Sequence, residues 1–399
     1  MILFPMAGIF DYLAWRGDLS FKSAPFNPVD NVIFSILAYY PFEKFVGGPD
    51  EETSVRLHDA IDLILVQIKK NPKKLNMYYF FKDDQYKLLY TLKKCERYSG
   101  VSIAAFVDHI DTHAEVQFSA LTFLPEEGRP AYIAYRGTDS SLVGWKEDFN
   151  MIFADTIPAQ LEAAAYLDTV SKRFKGDCYV GGHSKGGNLA VYAGAFCRPA
   201  VKKRIITIYS NDGPGLTPKT AARTEYAEVK DRIVSYIPQD SIIGLLFEQR
   251  KHSVVKSGES GFLQHNPLLW EVTRNGFCMQ DDVTRQSRFV NTTLMRWLES
   301  MDYEHRQRFI GALFELLMST NAASVPDLTA DWLKSARLMA SSLTQFDKET
   351  RTMLGKTFAS LFDIAKNNLV EKIEKKISTR KTAAVTSAAA KTAAAKTKK

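Results

Sequence analysis

The sequence predicts an α/β fold: a mainly parallel sheet wrapped by helices, preceded by a helical segment and followed by a helical extension. Three observations carry this. Apolar residues recur at helical spacing before Gly100 and again after Asp281. Between them, short strand-like runs alternate with longer Ala-rich ones, the pattern of β-α-β units. A glycine-rich stretch, Gly181-Gly182-His183-Ser184-Lys185-Gly186-Gly187, joins one such run directly to a helical one.

A chain of 399 residues suits one large domain with helical additions, and its 45% hydrophobic and 24% charged residues are ordinary for a globular protein with a sizeable core. The net charge of +7 is concentrated in Arg380, Lys381, Lys391, Lys396, Lys398 and Lys399, a tail without an acid. The body is therefore nearly neutral, and a specific nucleic-acid partner is not indicated. The tail is almost all Ala, Lys and Thr, buries too little to offset its ordering entropy, and is expected to be disordered, with at most a weak contact to anionic surfaces. Cys95, Cys178, Cys197 and Cys278 form no C-x-x-C pair and no metal-ligand spacing, which points to free thiols in a reducing compartment. The apolar start MILFPMAGIFDYLAWRGD lacks a basic leading region and is interrupted by Pro5, Asp11 and Arg16, so it reads as a packed segment rather than a secretory signal. No run of 18 apolar residues occurs, so no membrane span is expected and the expected location is cytoplasmic.

Residues 1–100 form the N-terminal helical segment. Asn27-Pro28, with Asp30, opens a helix whose Val32, Ile33, Ile36 and Leu37 share one face. Gly47-Gly48-Pro49 is a break. A helix follows over 51–70, acids first and lysines last as the helix dipole prefers, and another over 83–98. Residues 101–280 form the α/β core. Runs at 101–107, 117–124 and 130–136 read as strands, the last two a hairpin turned by Glu126-Glu127-Gly128. A helix at 158–174, a strand at 177–181, a helix at 185–197 and strands at 204–209, 231–237 and 252–256 complete the core. Residues 281–375 form a C-terminal helical region, with helices over 287–301, 303–320 and about 327–370, and the basic tail occupies 380–399.

The chemistry concentrates at Gly182-His183-Ser184-Lys185-Gly186. A sharp strand-to-helix turn forces its central residue into a strained backbone conformation. Side chains two positions to either side would collide with neighbouring strands, and Gly182 and Gly186 avoid that. The Ser184 hydroxyl then projects from the sheet edge at a helix N-terminus, where main-chain N–H groups favour a developing oxyanion. The stretch reads as a nucleophile elbow. A plain glycine-rich turn is the alternative, and a phosphate-binding loop lacks its Lys-Ser/Thr pair here.

A second signal is Ala134-Tyr135-Arg136-Gly137-Thr138-Asp139, followed by Gly144-Trp145-Lys146-Glu147-Asp148. Together with the elbow, these resemble the class 3 lipase branch of the α/β-hydrolases, whose pattern is an FRGT-like loop, a W-x-x-D segment and GHSxGG. The chain is more similar still to the bacterial Mbeg-like family of that superfamily, through YLAWRGDLSF, YRGTDSSLVGWKEDFNM and QHNPLLWEV. The resemblance covers roughly residues 10–275. It implies an α/β-hydrolase fold, lipase or esterase chemistry, and an oxyanion hole made by Thr138, through its N–H or hydroxyl, and by the N–H of Lys185. Arg136, Trp145 and Asp148 would then brace the loop.

A serine nucleophile needs a base, and the chain order in these enzymes is Ser, acid, His. His252, His265 and His305 follow Ser184. His252 opens a strand and His305 lies in a helical pattern outside the resemblance. His265 sits in a loop after the last strand, from which it can reach over the sheet edge, and is the expected base. His183 is expected to pack or hydrogen-bond. The expected acid is Asp240, which ends the strand-Pro-Gln-Asp run at 233–240; Asp212, in Asn211-Asp212-Gly213 after the preceding strand, competes with it. Residues 241–247, SIIGLLF, suit a lid, a wall of an acyl pocket, or a core helix. No Ca, Zn or nucleotide motif is present, and the expected mechanism needs no cofactor or metal. Two functions compete: a serine hydrolase acting on a small acyl ester or lipid, and a catalytically silent hydrolase-fold scaffold for protein or membrane-surface contacts. Acyl transfer to an acceptor other than water is a third.

Overall fold

Among the described residues, nine strands form one sheet, and they lie side by side in the order in which they occur in the chain. They are β1 (Ser54–Arg56), β2 (Ser102–Asp111), β3 (Val116–Leu124), β4 (Ala131–Tyr135), β5 (Cys178–His183), β6 (Ile205–Asn211), β7 (Ile233–Pro238), β8 (His252–Val255) and β9 (Met279–Gln280). The first four run antiparallel to their neighbours, β4 to β8 run parallel, and β9 returns antiparallel. The computed structural model describes residues 7–70, 84–126, 128–139, 141–151, 154–247, 251–299, 302–318, 320, 332–344, 346–352 and 355–356. The tail at 380–399 and much of the helix expected over 327–370 lie outside the described residues. The chain divides into two compact units, residues 1–337 and 338–399. In the second, residues 338–343 and 348–352 are helical.

Sequential strand order decides where the helices go. Parallel crossovers are right-handed, so strands added always on the same side place their connecting helices on one face. The helices α6 (Pro158–Arg173) and α7 (Lys185–Phe196) accordingly share a core with Ile133, Tyr135, Val180 and Ile208. That leaves the opposite face, carrying Tyr132, Ala134 and Phe123, without a crossover helix. The N-terminal segment covers it with α1 (Ile9–Arg16), α2 (Pro28–Leu37), α3 (Leu57–Lys70) and α4 (Gln85–Leu92). Period-two alternation along β4 supplies both cores at once. Phe34 of α2 stacks on Phe123 of β3, ring centroids 4.4 Å apart.

This layer is also pinned by polar groups. The buried Asp30 carboxylate accepts from the Arg97 guanidinium at 2.8 and 2.5 Å and from the Tyr12 and Tyr98 hydroxyls at 2.9 and 2.8 Å. Two buried charges with every oxygen occupied avoid the penalty of an unpaired buried ion.

The architecture is a mixed sheet with helices packed on both faces. Three of its differences from the sequence expectation concern the sheet and the helix beside it. Residues 54–56 form β1, inside the helix expected over 51–70, and pair with β2. The two-residue β9 adds an edge strand. The segment 142–150, to which the sequence reading assigns no element, is helix α5 (Leu142–Asn150), capped by Ser141, whose Oγ accepts from Gly144 N at 3.1 Å. Helix α5 shows no apolar stripe because its inward face carries charge: Glu147 is fully buried. After the sheet come α8 (Arg285–Glu299) and α9 (Tyr303–Met318). Helix α9 packs on α5, with Phe314 and Phe149 edge to face at 5.6 Å. Among the described residues, no helix is long and apolar enough to cross a membrane.

Candidate active site

Strand β5 ends at His183 and α7 begins at Lys185, so Ser184 alone makes the turn. It does so at φ 57° and ψ −133°, a left-handed conformation unfavourable to a residue with a Cβ. The glycines around it are steric necessities. A Cβ on Gly182 would lie 2.4 Å from the Gly186 carbonyl, and one on Gly186 would lie 2.1 Å from the Tyr135 carbonyl oxygen. Ser184 N donates to Asn211 O at 3.0 Å, and Ser184 stays partly exposed while its neighbours on both sides are buried.

A carboxylate comes from the adjacent strand. In the β5–β6 register His183 pairs with Asn211, so Ser184 and Asp212 each stand one residue beyond a paired position. Asp212 is buried and sits at φ 49°. Its Oδ2 lies 2.6 Å from Nδ1 of His265. Its Oδ1 accepts from the Ser241 hydroxyl and, at 3.1 Å, from Gly244 N. Facing a carboxylate, Nδ1 carries the ring proton, which makes Nε2 on the other edge the basic nitrogen. The buried His265 ends a 3-10 turn, Gly261–His265, and the half-exposed Phe262 stacks on its ring at 5.5 Å.

Asp240 does not meet His265, and the expectation that it supplies the partner carboxylate is corrected. It follows β7, one strand further from Ser184 than Asp212. Its Oδ2 accepts from Gly261 N at 2.9 Å and Gln264 Nε2 at 3.0 Å, and its Oδ1 from Thr284 at 2.7 Å. Asp240 thus holds the loop that carries His265 rather than the imidazole itself. Residues 241–247 are likewise neither a free lid nor a core helix at their start: Ser241 and Gly244 form the cradle of Asp212, a role that no motif in the sequence announces.

His183 secures the other side of the loop that carries His265. Its Nε2 lies 2.7 Å from the His265 carbonyl oxygen, which can only accept, so Nε2 is protonated. Nδ1 then accepts from the Tyr39 hydroxyl at 3.1 Å. Burial, and next the neighbouring His265, push the His183 pKa well below its ordinary value, so the ring is neutral. Tyr39 belongs to the N-terminal layer, which therefore reaches beneath the turn; a Cβ on Gly137 would lie 2.1 Å from its hydroxyl.

On the opposite side stands the loop after β4. Arg136 makes a two-pronged bond to Asp108 at 2.7 and 3.1 Å. The Thr138 hydroxyl donates to Asp148 Oδ2, so its proton is committed within the loop. Asp148 Oδ1 has no hydrogen-bond donor among the described residues and lies 3.7 Å from Lys185 Nζ. A quarter of the Asp148 side chain remains exposed, yet desolvation still raises its pKa to about 6 against the pull of Lys185. The Lys185 side chain is buried. Its ammonium donates to Gln117 O at 2.9 Å, Gln117 Oε1 at 2.8 Å and Glu147 Oε2 at 2.9 Å. Among the described residues, no group of three or more His, Cys, Asp or Glu side chains is arranged to hold a metal ion.

Among solved structures, the chain is similar to the Rhizomucor miehei lipase propeptide complex, at 15% identity over 43% of this chain and 66% of that one, with a TM-score of 0.31. It is similar to a fungal lipase–inhibitor complex (16% identity, 42% and 70% covered, TM-score 0.33) and to lipase II from Rhizopus niveus (16%, 55% and 88%, 0.33). The chain thus spans just under two thirds of the first of these lipases. No curated protein matches it. The Mbeg1-like family pattern matches residues 92–315, more than half of the chain and the stretch from β2 into α9, and the chain belongs to the Mbeg1-like family.

Proposed function

We propose that the protein is a serine hydrolase that cleaves a carboxylic ester through an acyl-enzyme on Ser184. The observation that carries this reading is the coincidence of two unfavourable arrangements at one sheet edge: a serine in left-handed backbone and, beside it, a buried imidazole–carboxylate pair, Asp212–His265. Strain of this kind persists only where its surroundings impose it, and it clusters at reactive sites.

In this mechanism His265 Nε2 takes the Ser184 hydroxyl proton as Oγ bonds to the carbonyl carbon, and the carbonyl π pair moves to oxygen. The N–H groups of Lys185 and Thr138 receive that oxyanion. Asp212 stays ionised and stabilises the imidazolium. The C–O bond to the alcohol breaks as His265 returns the proton to the leaving oxygen. Water repeats the cycle on the acyl-enzyme, freeing the acid and the serine. The substrate is a small acyl ester or a lipid ester.

The test is labelling with a fluorophosphonate, which needs an activated serine. Wild-type protein is expected to label and to turn over short 4-nitrophenyl esters, and Ser184→Ala to do neither. Persistent labelling of Ser184→Ala, or a wild type that never labels, would overturn the assignment and favour a silent scaffold.

A further inference from the structure

The buried ammonium of Lys185 has no part in the steps above, although the same residue supplies a main-chain N–H to the oxyanion. Its three donors meet three acceptors, two on Gln117 of β3 and one on Glu147 of α5. Glu147 is equally committed. Its Oε2 also accepts from Gln117 N at 3.0 Å, and its Oε1 accepts from Ala159 N at 3.0 Å, at the start of α6. The next residue of α5, Asp148, takes the hydroxyl of Thr138. Two consecutive carboxylates on one short helix thus grip the two residues that face the oxyanion, one from each side.

Stability does not account for this pair. Replacing a buried ion pair by apolar side chains of similar volume is often neutral or stabilising, so a Lys–Glu pair with no exposure on either side is an expensive way to fill space. What it adds is a defined distance. The main chain of Lys185 moves with α7 and that of Thr138 with the loop after β4, and α5 is the only described element bonded to both side chains.

Resting on the hydrolase reading, we propose that Lys185 is a positioning residue: its side chain, clamped to α5 through Glu147, sets the separation of the two N–H donors that receive the oxyanion. Preorganised donors of this kind are sensitive to small displacements, because they act only where charge develops in the transition state.

The test compares a 4-nitrophenyl ester with its thionoester, in which C=S replaces C=O and accepts hydrogen bonds weakly, so its turnover depends little on the donors. The double variant Lys185→Met, Glu147→Met removes both charges together. Its ester kcat is expected to fall about 30-fold with KM unchanged, while thionoester kcat falls less than about threefold, as donors are displaced and not deleted. Lys185→Arg, which keeps the charge, is expected to recover part of the ester rate. Asp148→Ala, at a partly exposed position, tests the Thr138 side separately and is expected to lower the ester-to-thionoester ratio in the same sense, even if the double variant fails to fold. Equal losses on both substrates in Asp148→Ala and in every folded Lys185 variant, or no loss on either, overturn the proposal. A wild type that hydrolyses neither substrate overturns the hydrolase reading itself, a distinguishable result.

Discussion

His265 Nδ1 lies 2.6 Å from Asp212 Oδ2, and that carboxylate receives two further donors, the Ser241 hydroxyl and Gly244 N. A buried carboxylate held on both oxygens orients an imidazole and stabilises its cation without taking the proton. Asp212→Asn is expected to keep the fold and lower kcat on short esters by roughly 10³–10⁴, since the amide favours the wrong tautomer. Asp240→Asn is expected to leave kcat within about threefold and to lower stability by about 1 kcal/mol through its loop bonds. Steady-state kinetics beside a melting curve separate the two, and a larger kinetic loss in Asp240→Asn reverses the assignment.

Gly244 touches this carboxylate directly. A Cβ there would lie 2.5 Å from Asp212 Oδ1 and 2.5 Å from Ile237 Cγ2. Gly244→Ala is expected to displace Asp212 and lower kcat by about 10- to 100-fold, the scale of an ångström-sized error in a catalytic group. Wild-type rates in this variant would mean that the Ser241–Gly244 turn does not hold the acid.

The neutral, buried His183 gives stability a pH slope. Between its folded pKa and the ordinary value near 6.5, the unfolded chain binds a proton that the folded one refuses, so stability is present above pH 6.5 and is lost as pH falls. The slope is up to about 1.4 kcal/mol per pH unit from this residue. Denaturant titrations of wild type and His183→Gln from pH 7.5 to 5 are expected to show the slope reduced in the variant.

Asp148 acts in the opposite sense. Its folded pKa, raised to about 6, exceeds that of the unfolded chain, so its favourable contribution is complete below pH 4 and disappears as pH rises through 6. Asp148→Asn, a permanently neutral mimic, is expected to be more stable than wild type by about 2 kcal/mol at pH 8, with the gap narrowing as pH falls through 6 and closing only below pH 4. Equal stability at pH 8 would show that burial does not tax this carboxyl.

Phe314 on α9 packs edge to face on Phe149, the residue after Asp148. Phe314→Ala is expected to cost about 3 kcal/mol of stability and to lower ester kcat severalfold by loosening α5. Unchanged turnover in a destabilised Phe314→Ala would confine α9 to a structural part.

What could be read in advance follows the range of the physics. Gly182 and Gly186 flank Ser184 for reasons local to five residues, and the strand before and helix after are visible as periodicity, so the turn was legible. Asp212 and Asp240 both end parallel strands ahead of His265, and only the register, which puts Asp212 beside Ser184, separates them. Helix α5 was missed because Glu147 points inward to Lys185 and Gln117, partners 38 and 30 positions away, and hydrophobic periodicity cannot register a face buried through charge. Tyr39 was invisible for a similar reason: its contact with His183 spans 144 positions.

The sequential order of the strands also sets a timetable. A chain emerging from a ribosome at about 5–20 residues per second adds each strand beside one already made, and none has to wedge between two earlier arrivals. The layer that covers one face is synthesised first and waits for its slab. The residues gathered at the sheet edge arrive along the same direction, the loop after β4, then the serine, then Asp212, and the imidazole last. A stalled or prematurely terminated product would therefore carry Ser184 without the Asp212–His265 pair, which comes together only when the sheet is all but finished.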